Sequence, residues 1–292
     1  MRSLHFALVG EPVAHSMSPR MHAAAFRALG LPHDYEAVPT SAEALAARVA
    51  ALRAGRYDGL NVTVPHKVRV LPLLDVLAPS ARFAGAVNTV VKSPEGALVG
   101  HNTDAPALAA ELAQLGPDVA TDATARRGLV LGSGGAARAA VAALALGLGV
   151  AEIGIRARAL DDPAAAEDFL AELRALLAEA GAPTQLFVEP FVASPSAEPS
   201  VSVVIQATSA GMHGASPGEV ARRVVSWEHL PARAIARDVV YNPATTPFLD
   251  AARKRSLRCA CGLGMLARQG ALALELWLGL AAPVDAMRAA LE

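Results

Sequence analysis

The sequence has little cysteine and no excess of charge of either sign. Its two cysteines, Cys259 and Cys261, are too few for a disulfide framework, and neither they nor the eight scattered histidines have the spacing of a metal site. The 26 basic and 27 acidic residues leave a formal net charge of −1, which argues against the concentrated basic surface that nucleic-acid binding needs. We therefore expect neither a bound metal nor a nucleic-acid partner, and we expect the two thiols to be small buried side chains on one face of a strand.

Long apolar segments are also missing. The first apolar run is soon interrupted by Gly10-Glu11-Pro12, which predicts a strand rather than a signal peptide. The alanine-rich, uncharged stretch Ala139 to Ala151 is too short to span a bilayer and contains glycines. We therefore expect no membrane association and a cytoplasmic location.

Apolar residues are nevertheless plentiful, at 53% of the 292, which is enough to build a substantial core. Short apolar runs alternate with alanine-rich segments, which is typical of βα units and a mostly parallel sheet. Phe6–Val9 is predicted as the first strand, and Ser18 and Pro19 are predicted to cap and open a helix that Gly30 ends. Further strands are predicted at 59–64, 87–91, 128–131, 152–155, 185–188, 201–206, 235–241 and 257–261, and further helices at 42–53, 107–115, 164–180, from 247 onward and twice near the C-terminus.

A change of composition near Ala105 indicates two domains. Before it, polar residues cluster in short motifs; after it come a helix, a linker at 117–127 and a second βα pattern. The Pro- and Ser-rich segment 194–200 is predicted to be a surface loop. We therefore expect two α/β domains.

The second domain opens with a glycine motif in a favourable context. Gly132, Gly134 and Ala137 match the G-x-G-x-x-G/A pattern, with a predicted strand before it and a helix after it. Such glycines permit a tight turn and let backbone N–H groups approach a pyrophosphate at the helix N-terminus. We predict that a dinucleotide binds here to Gly132, Gly134, Gly135 and Ala136; an incidental glycine turn is the alternative interpretation.

The end of the next strand favours NADP over NAD. NAD sites usually place an acidic residue there for the ribose hydroxyls, whereas this sequence has Arg156-Ala157-Arg158. A guanidinium favours a 2′-phosphate through charge-assisted hydrogen bonds, so Arg156 and Arg158 are predicted to bind it. Ordinary solvated arginines are the alternative, and Asp161 and Asp162 follow closely, so NAD stays open.

Four polar segments lie at predicted strand ends and turns, where a scaffold presents functional groups. Each has a simpler explanation when taken alone: Ser18 as a helix cap, Asn88 and Asn102 as turn residues, Lys67 as a solvated lysine. The segments are His15–Pro19, Asn61–Lys67, Ala86–Thr89 and His101–Asp104.

Together with later segments, they resemble the shikimate dehydrogenase family over nearly the whole chain. The motifs that carry the resemblance are, in order, S-x-S-P, N-V-T-x-P-x-K, G-A-x-N-T, G-x-N-T-D, G-x-G-G-A-x-R, A-T-S-x-G-M, Y-N-P-x-x-T and G-x-x-M-L-x-x-Q. Eight segments in one order are a highly specific match.

The resemblance implies an NADP-dependent enzyme that reversibly reduces 3-dehydroshikimate to shikimate. It implies that Lys67 and Asp104 are the catalytic pair and that the substrate contacts Ser16, Ser18, Thr63, Asn88, Tyr241 and Gln269. On the cofactor side it adds Thr208, Met212 and Gly262. It also implies a substrate-binding domain formed by 1–105 plus 264–292, a Rossmann-like NADP-binding domain at 106–263, and a cleft between the two.

Several departures from the family pattern leave alternatives open. Ala23, His101 and Ala105 differ on the substrate side, and Ala157 and Gln206 differ on the cofactor side. A relative acting on quinate or an aminated shikimate analogue, with NADP or NAD, is therefore a second hypothesis. A non-catalytic nucleotide-dependent sensor is a third, although the presence of both Lys67 and Asp104 disfavours it. The oligomeric state is expected to be monomer or homodimer.

Overall fold

The computed structural model describes residues 2–116, 127–194 and 198–292. The chain divides into two compact units, one formed by Met1–Ala107 with Gly264–Glu292 and the other by Leu108–Leu263. Most of the predicted linker and the middle of the predicted 194–200 loop lie outside the described residues.

Strands and helices alternate through both units. The strands are β1 His5–Gly10, β2 Asp34–Pro39, β3 Gly59–Val62, β4 Val76–Leu77, β5 Thr89–Lys92, β6 Leu98–His101, β7 Arg127–Leu131, β8 Glu152–Arg156, β9 Gln185–Glu189, β10 Val201–Gln206, β11 Ile235–Asp238 and β12 Arg258–Ala260. The α-helices are α1 Ser18–Ala28, α2 Leu45–Arg53, α3 Pro79–Ala84, α4 Asp104–Leu115, α5 Gly135–Ala142, α6 Pro163–Glu179, α7 Glu219–Arg223, α8 Pro247–Lys254, α9 Leu263–Leu278 and α10 Val284–Ala289. Among the described residues, we find no helix with the length and apolarity needed to cross a membrane.

The sheet of the first unit is mixed. Its strand order is β2-β1-β3-β5-β6-β4, with β1 parallel to both β2 and β3, and β4 parallel to β6. The pairs β3–β5 and β5–β6 are antiparallel. The β5–β6 connection is the predicted turn Ser93–Gly96, in which Gly96 has a φ of +91° that a side chain would strain.

The sheet of the second unit is entirely parallel, with the order β12-β11-β10-β7-β8-β9. Read from the other edge, its strands follow the order 3-2-1-4-5-6 of a doubly wound dinucleotide-binding sheet. The central strand β10 is buried along its whole length, which explains why its apolar run predicted its bounds correctly.

Each unit has its own apolar core. In the first, Leu60, Val87, Val90 and Leu98 are fully buried members of one cluster; in the second, Leu129, Val204, Ala236 and Phe248 belong to another. α9 adds Trp277 to the first unit: its ring stacks on Phe6 with centroids 4.6 Å apart, and its Nε1 donates to the Val90 carbonyl at 3.1 Å. α9 is thereby attached to the first sheet.

Two local predictions need correction. Ser18 is the first residue of α1 rather than its cap, because Met17 occupies the cap position and no side chain caps this helix. Cys259 and Cys261 are half-buried rather than buried, because β12 is an edge strand, and they pack against the core of the second unit. Partial burial raises the pKa of the Cys259 thiol.

Candidate active site

Lys67 and Asp104 form an ion pair in the first unit. The Lys67 ammonium Nζ lies 2.6 Å from Oδ2 of Asp104, with 14% of the lysine side chain and 6% of the aspartate side chain exposed. A charge-assisted hydrogen bond shielded from water in this way is shorter, stronger and less screened than a surface ion pair. An ammonium has three N–H donors, so the pairing with Asp104 leaves capacity to donate to a further oxygen.

The start of α4 sets the position of Asp104, which is its first residue. Asn102 Oδ1 accepts a hydrogen bond from Ala105 N at 2.9 Å, and its Nδ2 donates to the Ala86 carbonyl at 2.9 Å. A side-chain oxygen that accepts from a first-turn N–H is a helix cap, and the positive end of the helix dipole favours a carboxylate at this point. Asn102 is therefore more than a turn residue: it fixes the end of the helix that carries Asp104.

The topology of the first sheet brings the predicted substrate residues to one edge. β1 and β3 are parallel neighbours, so Ser16 and Ser18, after β1, and Thr63, after β3, follow strand ends on the same side. β5 runs antiparallel to β3, and β6 antiparallel to β5. Asn88, just before β5, and Asp104, just after β6, therefore meet the same edge, which is the candidate active site.

Asn88 is the centre of a buried hydrogen-bond network at this edge. Its Nδ2 donates to Thr103 Oγ1 at 2.8 Å and to Gln269 Oε1 at 3.3 Å, and its Oδ1 accepts from Thr103 N at 2.7 Å. Gln269, on α9, donates from Nε2 to the Leu266 carbonyl at 2.9 Å. Both amides are buried. Buried amides with these partners have fixed orientations and present a defined pattern of donors and acceptors.

Two residues that extend this network, Tyr35 and Asn61, were not among the predicted site residues. The Tyr35 hydroxyl donates to Asn61 Oδ1 at 2.8 Å, and Asn61 Nδ2 donates to the Asn88 carbonyl and to Thr89 Oγ1, both at 3.0 Å. The signal for Asn61 was present, because an asparagine inside an apolar strand needs buried partners. Tyr35 gave no comparable signal, since its strand β2 was not predicted.

The three predicted substrate residues with side-chain hydroxyls, Ser16, Ser18 and Thr63, are partly shielded from solvent. Ser16 Oγ accepts a hydrogen bond from Ser18 N at 3.2 Å; Ser18 is buried, and Ser16 and Thr63 are half-buried. A Cβ on Gly10 would lie 2.3 Å from Thr63 Cγ2, so a glycine is required at that position for Thr63 to occupy its place. Ser16 and Ser18 flank the N-terminus of α1, which favours an anion such as a carboxylate.

The glycine motif of the second unit forms the turn between β7 and α5. Gly132 has a φ of +118°, and a Cβ there would lie 3.0 Å from the Ala207 carbonyl oxygen. Gly134 precedes the helix in an extended conformation, with open space where its Cβ would be. Gly135 and Ala136 are the first residues of α5. This arrangement allows a ligand to approach the backbone N–H groups at the helix N-terminus.

The two arginines at the end of β8 have different environments. Arg156 is fully buried; its Nε and Nη2 donate to Glu189 Oε2 at 3.0 and 2.7 Å, and its Nη1 donates to the Val224 carbonyl at 2.7 Å. Arg158 is exposed, at the start of a short 3₁₀ turn. The prediction that Arg156 binds a cofactor phosphate is wrong for this arrangement, because its guanidinium joins β8 to β9 inside the unit. The role of Arg158 stays a prediction.

The remaining predicted cofactor residues follow two parallel strands of the second sheet, β10 and β12. Thr208 comes after β10, next to Gly132, with its Oγ1 accepting from Ala210 N at 3.0 Å. Met212 is half-buried a few residues later, and Gly262 follows β12 with a Cβ position only 2.1 Å from the Val239 carbonyl oxygen. Tyr241, predicted to contact substrate, is half-buried after β11 in this second unit.

Comparison with known proteins identifies the family. Residues 8–90 match the family model of the shikimate dehydrogenase substrate binding domain, and residues 262–292 match that of the shikimate 5′-dehydrogenase C-terminal domain. The shikimate dehydrogenase (NADP(+)) of Geobacter metallireducens is 40% identical over 288 residues, which cover 96% of this chain and 93% of that protein. The chain belongs to the shikimate dehydrogenase family.

Solved structures of similar proteins agree with this family. The shikimate 5-dehydrogenase of Thermus thermophilus, in complex with NADP(H) and shikimate, is 35% identical with a TM-score of 0.78, over 99% of this chain and 98% of that chain. The quinate dehydrogenase of Corynebacterium glutamicum, in complex with NAD, is 28% identical with a TM-score of 0.82, over 99% and 98% of the two chains. The predicted resemblance to the shikimate dehydrogenase family and the predicted α/β fold class are confirmed.

One further carboxyl group of this family member, Asp238, was not predicted. It ends β11, where its Oδ1 accepts from Val240 N at 2.9 Å and its Oδ2 accepts from Thr246 Oγ1 at 2.5 Å. Burial raises the pKa of Asp238 to about 6, against the opposing effect of these two hydrogen bonds. Thr246 in turn caps α8, so Asp238 connects the end of β11 to the next helix.

Proposed function

We propose that this chain is an NADP-dependent shikimate dehydrogenase, which reversibly reduces 3-dehydroshikimate to shikimate. The observation that carries the proposal is the shielded Lys67–Asp104 ion pair, with Nζ 2.6 Å from Oδ2, at the sheet edge that also holds the buried amides of Asn88 and Gln269. The 40% identity to a relative named shikimate dehydrogenase (NADP(+)) supports the substrate and the cofactor.

Lys67 supplies the proton in this mechanism. When a ring carbonyl is reduced, its oxygen gains negative charge and then a proton. The Lys67 ammonium donates a hydrogen bond to that oxygen, stabilises the developing charge and transfers the proton to it. In the direction of shikimate oxidation, the lysine takes the proton back. Asp104 holds the ammonium in position and accepts a hydrogen bond from a neighbouring ring hydroxyl.

The other polar residues of the edge bind and orient the substrate. The hydroxyls of Ser16 and Ser18 donate to the carboxylate, and Thr63, Asn88 and Gln269 bond the ring hydroxyls. Because the two amides are held in fixed orientations by the network around Asn88, they bond only a ring hydroxyl that lies in the matching position, which discriminates against analogues. Tyr241 lies in the second unit, and its contact with substrate stays a prediction from the sequence.

The second unit has the features that an NADP site requires. The open space at Gly134 and the helix that begins at Gly135 suit a pyrophosphate, and the exposed Arg158 suits a 2′-phosphate. The proposed cofactor residues are Gly132, Gly134, Gly135, Ala136, Arg158, Thr208, Met212 and Gly262. NADPH, when bound, supplies the hydride that reduces the ring carbonyl.

A second candidate function is the oxidation of quinate with NAD. It is favoured by the TM-score of 0.82 with a quinate dehydrogenase in complex with NAD. The exposed Arg158 supports NADP instead, since a guanidinium gains a charge-assisted hydrogen bond from a 2′-phosphate that NAD lacks. A cytoplasmic location and a monomeric or homodimeric state stay predictions from the sequence.

Steady-state kinetics with two substrates and two cofactors test the proposal. The purified chain is assayed with shikimate and with quinate, each with NADP and with NAD. We expect the highest kcat/KM for shikimate with NADP, with quinate slower by at least about tenfold, because a site that bonds each hydroxyl penalises an analogue that differs in them. A higher kcat/KM for quinate would overturn the proposal in favour of the second candidate, and no turnover of either substrate would overturn both.

A further inference from the structure

His66 lies beside Lys67 in the loop after β3 and points into the core of the first unit. It is fully buried, and its Nε2 lies 2.7 Å from the carbonyl oxygen of Thr40. A carbonyl oxygen accepts only, so Nε2 carries the hydrogen and donates it. Its Nδ1 has no hydrogen-bond partner within the described part of the chain.

A buried histidine with one unpartnered nitrogen is less favourable for folding than an apolar side chain at the same position. An unpartnered buried nitrogen costs about 1–3 kcal/mol, which an apolar side chain of similar size would avoid. The only polar contact of the ring among the described residues is the bond to Thr40. The imidazole therefore contributes something that an apolar residue would not, namely a donor at the Nε2 position.

Thr40 is a rigid partner for this donor. It follows β2 directly, its N donates to the Gly10 carbonyl at the end of β1 at 2.9 Å, and its Oγ1 donates to the Val38 carbonyl at 2.8 Å. The carbonyl that accepts from His66 is thus attached to the ends of two paired strands. Thr40 is only 1% exposed, so its carbonyl is a well-fixed acceptor that holds the loop against the sheet.

The same bond fixes the backbone from which Lys67 extends. His66 N donates to the Thr63 carbonyl at 2.8 Å, and the Lys67 carbonyl accepts from Val87 N at 2.8 Å. These two bonds join backbone groups and do not use the side chain of His66. The His66–Thr40 bond is the side-chain contribution, and it acts one residue from the ammonium whose Nζ lies 2.6 Å from Asp104.

We propose that His66 is a positioning residue for Lys67, acting through its Nε2–H bond to the Thr40 carbonyl. The bond prevents the loop from moving relative to the sheet, which keeps the ammonium in register with Asp104 and with the reacting oxygen. A misplacement of about 1 Å is enough to lower turnover by roughly 100-fold. The inference rests on the proposed role of Lys67, so its test includes a measurement that does not depend on turnover.

Three substitutions separate the bond from the bulk of the ring. His66→Phe keeps an aromatic ring and removes the donor; His66→Gln places an amide N–H near the Nε2 position; His66→Asn places one near Nδ1 instead. We expect His66→Phe and His66→Asn to lower kcat by about 10- to 100-fold with a smaller change in KM, and His66→Gln to stay within about threefold of the unsubstituted protein. If the Phe variant does not fold, the Gln and Asn pair still decides.

The turnover-independent measurement is the rate at which Lys67 is acylated, read by peptide mass spectrometry with the exposed Lys254 as internal reference. A shielded amine is acylated slowly because the reagent must first reach it, and a loosened loop exposes it, so we expect a several-fold faster relative rate in the Phe and Asn variants but not in the Gln variant. The double variant His66→Phe/Lys67→Ala should turn over no more slowly than Lys67→Ala alone, because the ammonium that His66 positions is already absent.

The outcomes distinguish the two proposals. Wild-type acylation rates and wild-type kcat in a folded His66→Phe variant would overturn the positioning role. Lower stability with an unchanged relative rate at Lys67 would overturn it too, since that is what a purely structural residue produces. A faster Lys67 rate in a protein that turns over neither shikimate nor quinate would support the positioning role while rejecting the proposed function.

Discussion

Lys67 is the residue on which the proposed chemistry depends most. Replacing it with alanine removes both the proton source and the cation that stabilises the charged oxygen. We predict that Lys67→Ala lowers kcat by about 10²- to 10⁴-fold, the usual effect of losing a positioned acid or base. The measurement is kcat for shikimate oxidation with NADP, together with a thermal unfolding curve. Lys254→Ala, at an exposed position on α8, is the control and should keep kcat. Near-normal turnover in a folded Lys67→Ala variant would rule out this lysine as the proton carrier.

Arg158 is the residue on which the choice of cofactor depends. Its guanidinium is exposed, so a charge reversal there affects a ligand more than the fold. We predict that Arg158→Asp weakens NADP binding by about 10- to 100-fold, the equivalent of one charge-assisted hydrogen bond, and changes NAD binding by less than about threefold. The dissociation constants are measured by titration without substrate. An equal loss for both cofactors would show that Arg158 does not bind the 2′-phosphate.

The different roles of Arg156 and Arg158 could not be predicted from the sequence. Arg156 and Arg158 look equivalent in sequence, since both sit at the end of one strand. They differ in environment. Arg156 is the last residue of β8, and its side chain donates to Glu189 on β9, whereas Arg158 lies beyond the end of the strand. Glu189 is 33 residues away from Arg156 in the sequence. The local pattern does not show that their two strands are neighbours in the sheet, so this ion pair was not predictable.

At the scale of elements, burial decided which segments were predictable. β10 is buried on both faces and reads as an apolar run, and its predicted bounds of 201–206 are the observed ones. β2 at Asp34–Pro39 carries two acidic residues and a proline, because it is an edge strand with one exposed side, and it was missed. β4 and α3 were missed for a different reason: at 2 and 6 residues they are too short to show a period.

The cap of α4 is the element-scale feature that the active site needs. Asn102→Ala removes the acceptor for Ala105 N and the donor to the Ala86 carbonyl, both buried. We predict a loss of about 1–3 kcal/mol in the free energy of unfolding, and a lower kcat because Asp104 begins the uncapped helix. Denaturant unfolding and steady-state kinetics measure the two effects.

Asn102→Ser is the matched control for this cap. The hydroxyl oxygen retains an acceptor for Ala105 N without adding a charge, and only the amide donor to the Ala86 carbonyl is lost, so we expect this variant to recover part of both losses. If Asn102→Ala kept the unfolding free energy of the unsubstituted protein, the cap would not be what fixes the start of α4.

At the scale of the whole molecule, two buried titratable groups give the stability opposite dependences on pH. Burial lowers the pKa of His22 to about 3, so the folded state binds its proton less tightly than the unfolded state does. Its contribution is complete above the ordinary pKa of 6.5 and is lost as the pH falls from there towards 3. Asp238, with its raised pKa, acts in the other direction. Neither effect followed from the sequence, because each depends on the burial of one side chain.

The Asp238 effect can be isolated by substitution. Its pKa is about 6 in the folded chain and 3.8 ordinarily, so the folded state binds the proton more tightly. The unfolding free energy contributed by this group is therefore highest below pH 3.8, falls as the pH rises to about 6, and is constant above that, a change of roughly 3 kcal/mol. We predict that Asp238→Asn removes this fall: the difference in unfolding free energy between the variant and the unsubstituted protein should grow in the variant's favour by most of that amount between pH 4 and pH 7. Denaturant unfolding at one-unit steps of pH measures this difference.

A constant difference across this range would mean that Asp238 titrates at its ordinary pKa. Its hydrogen bonds to Thr246 and Val240 would then balance the effect of its burial.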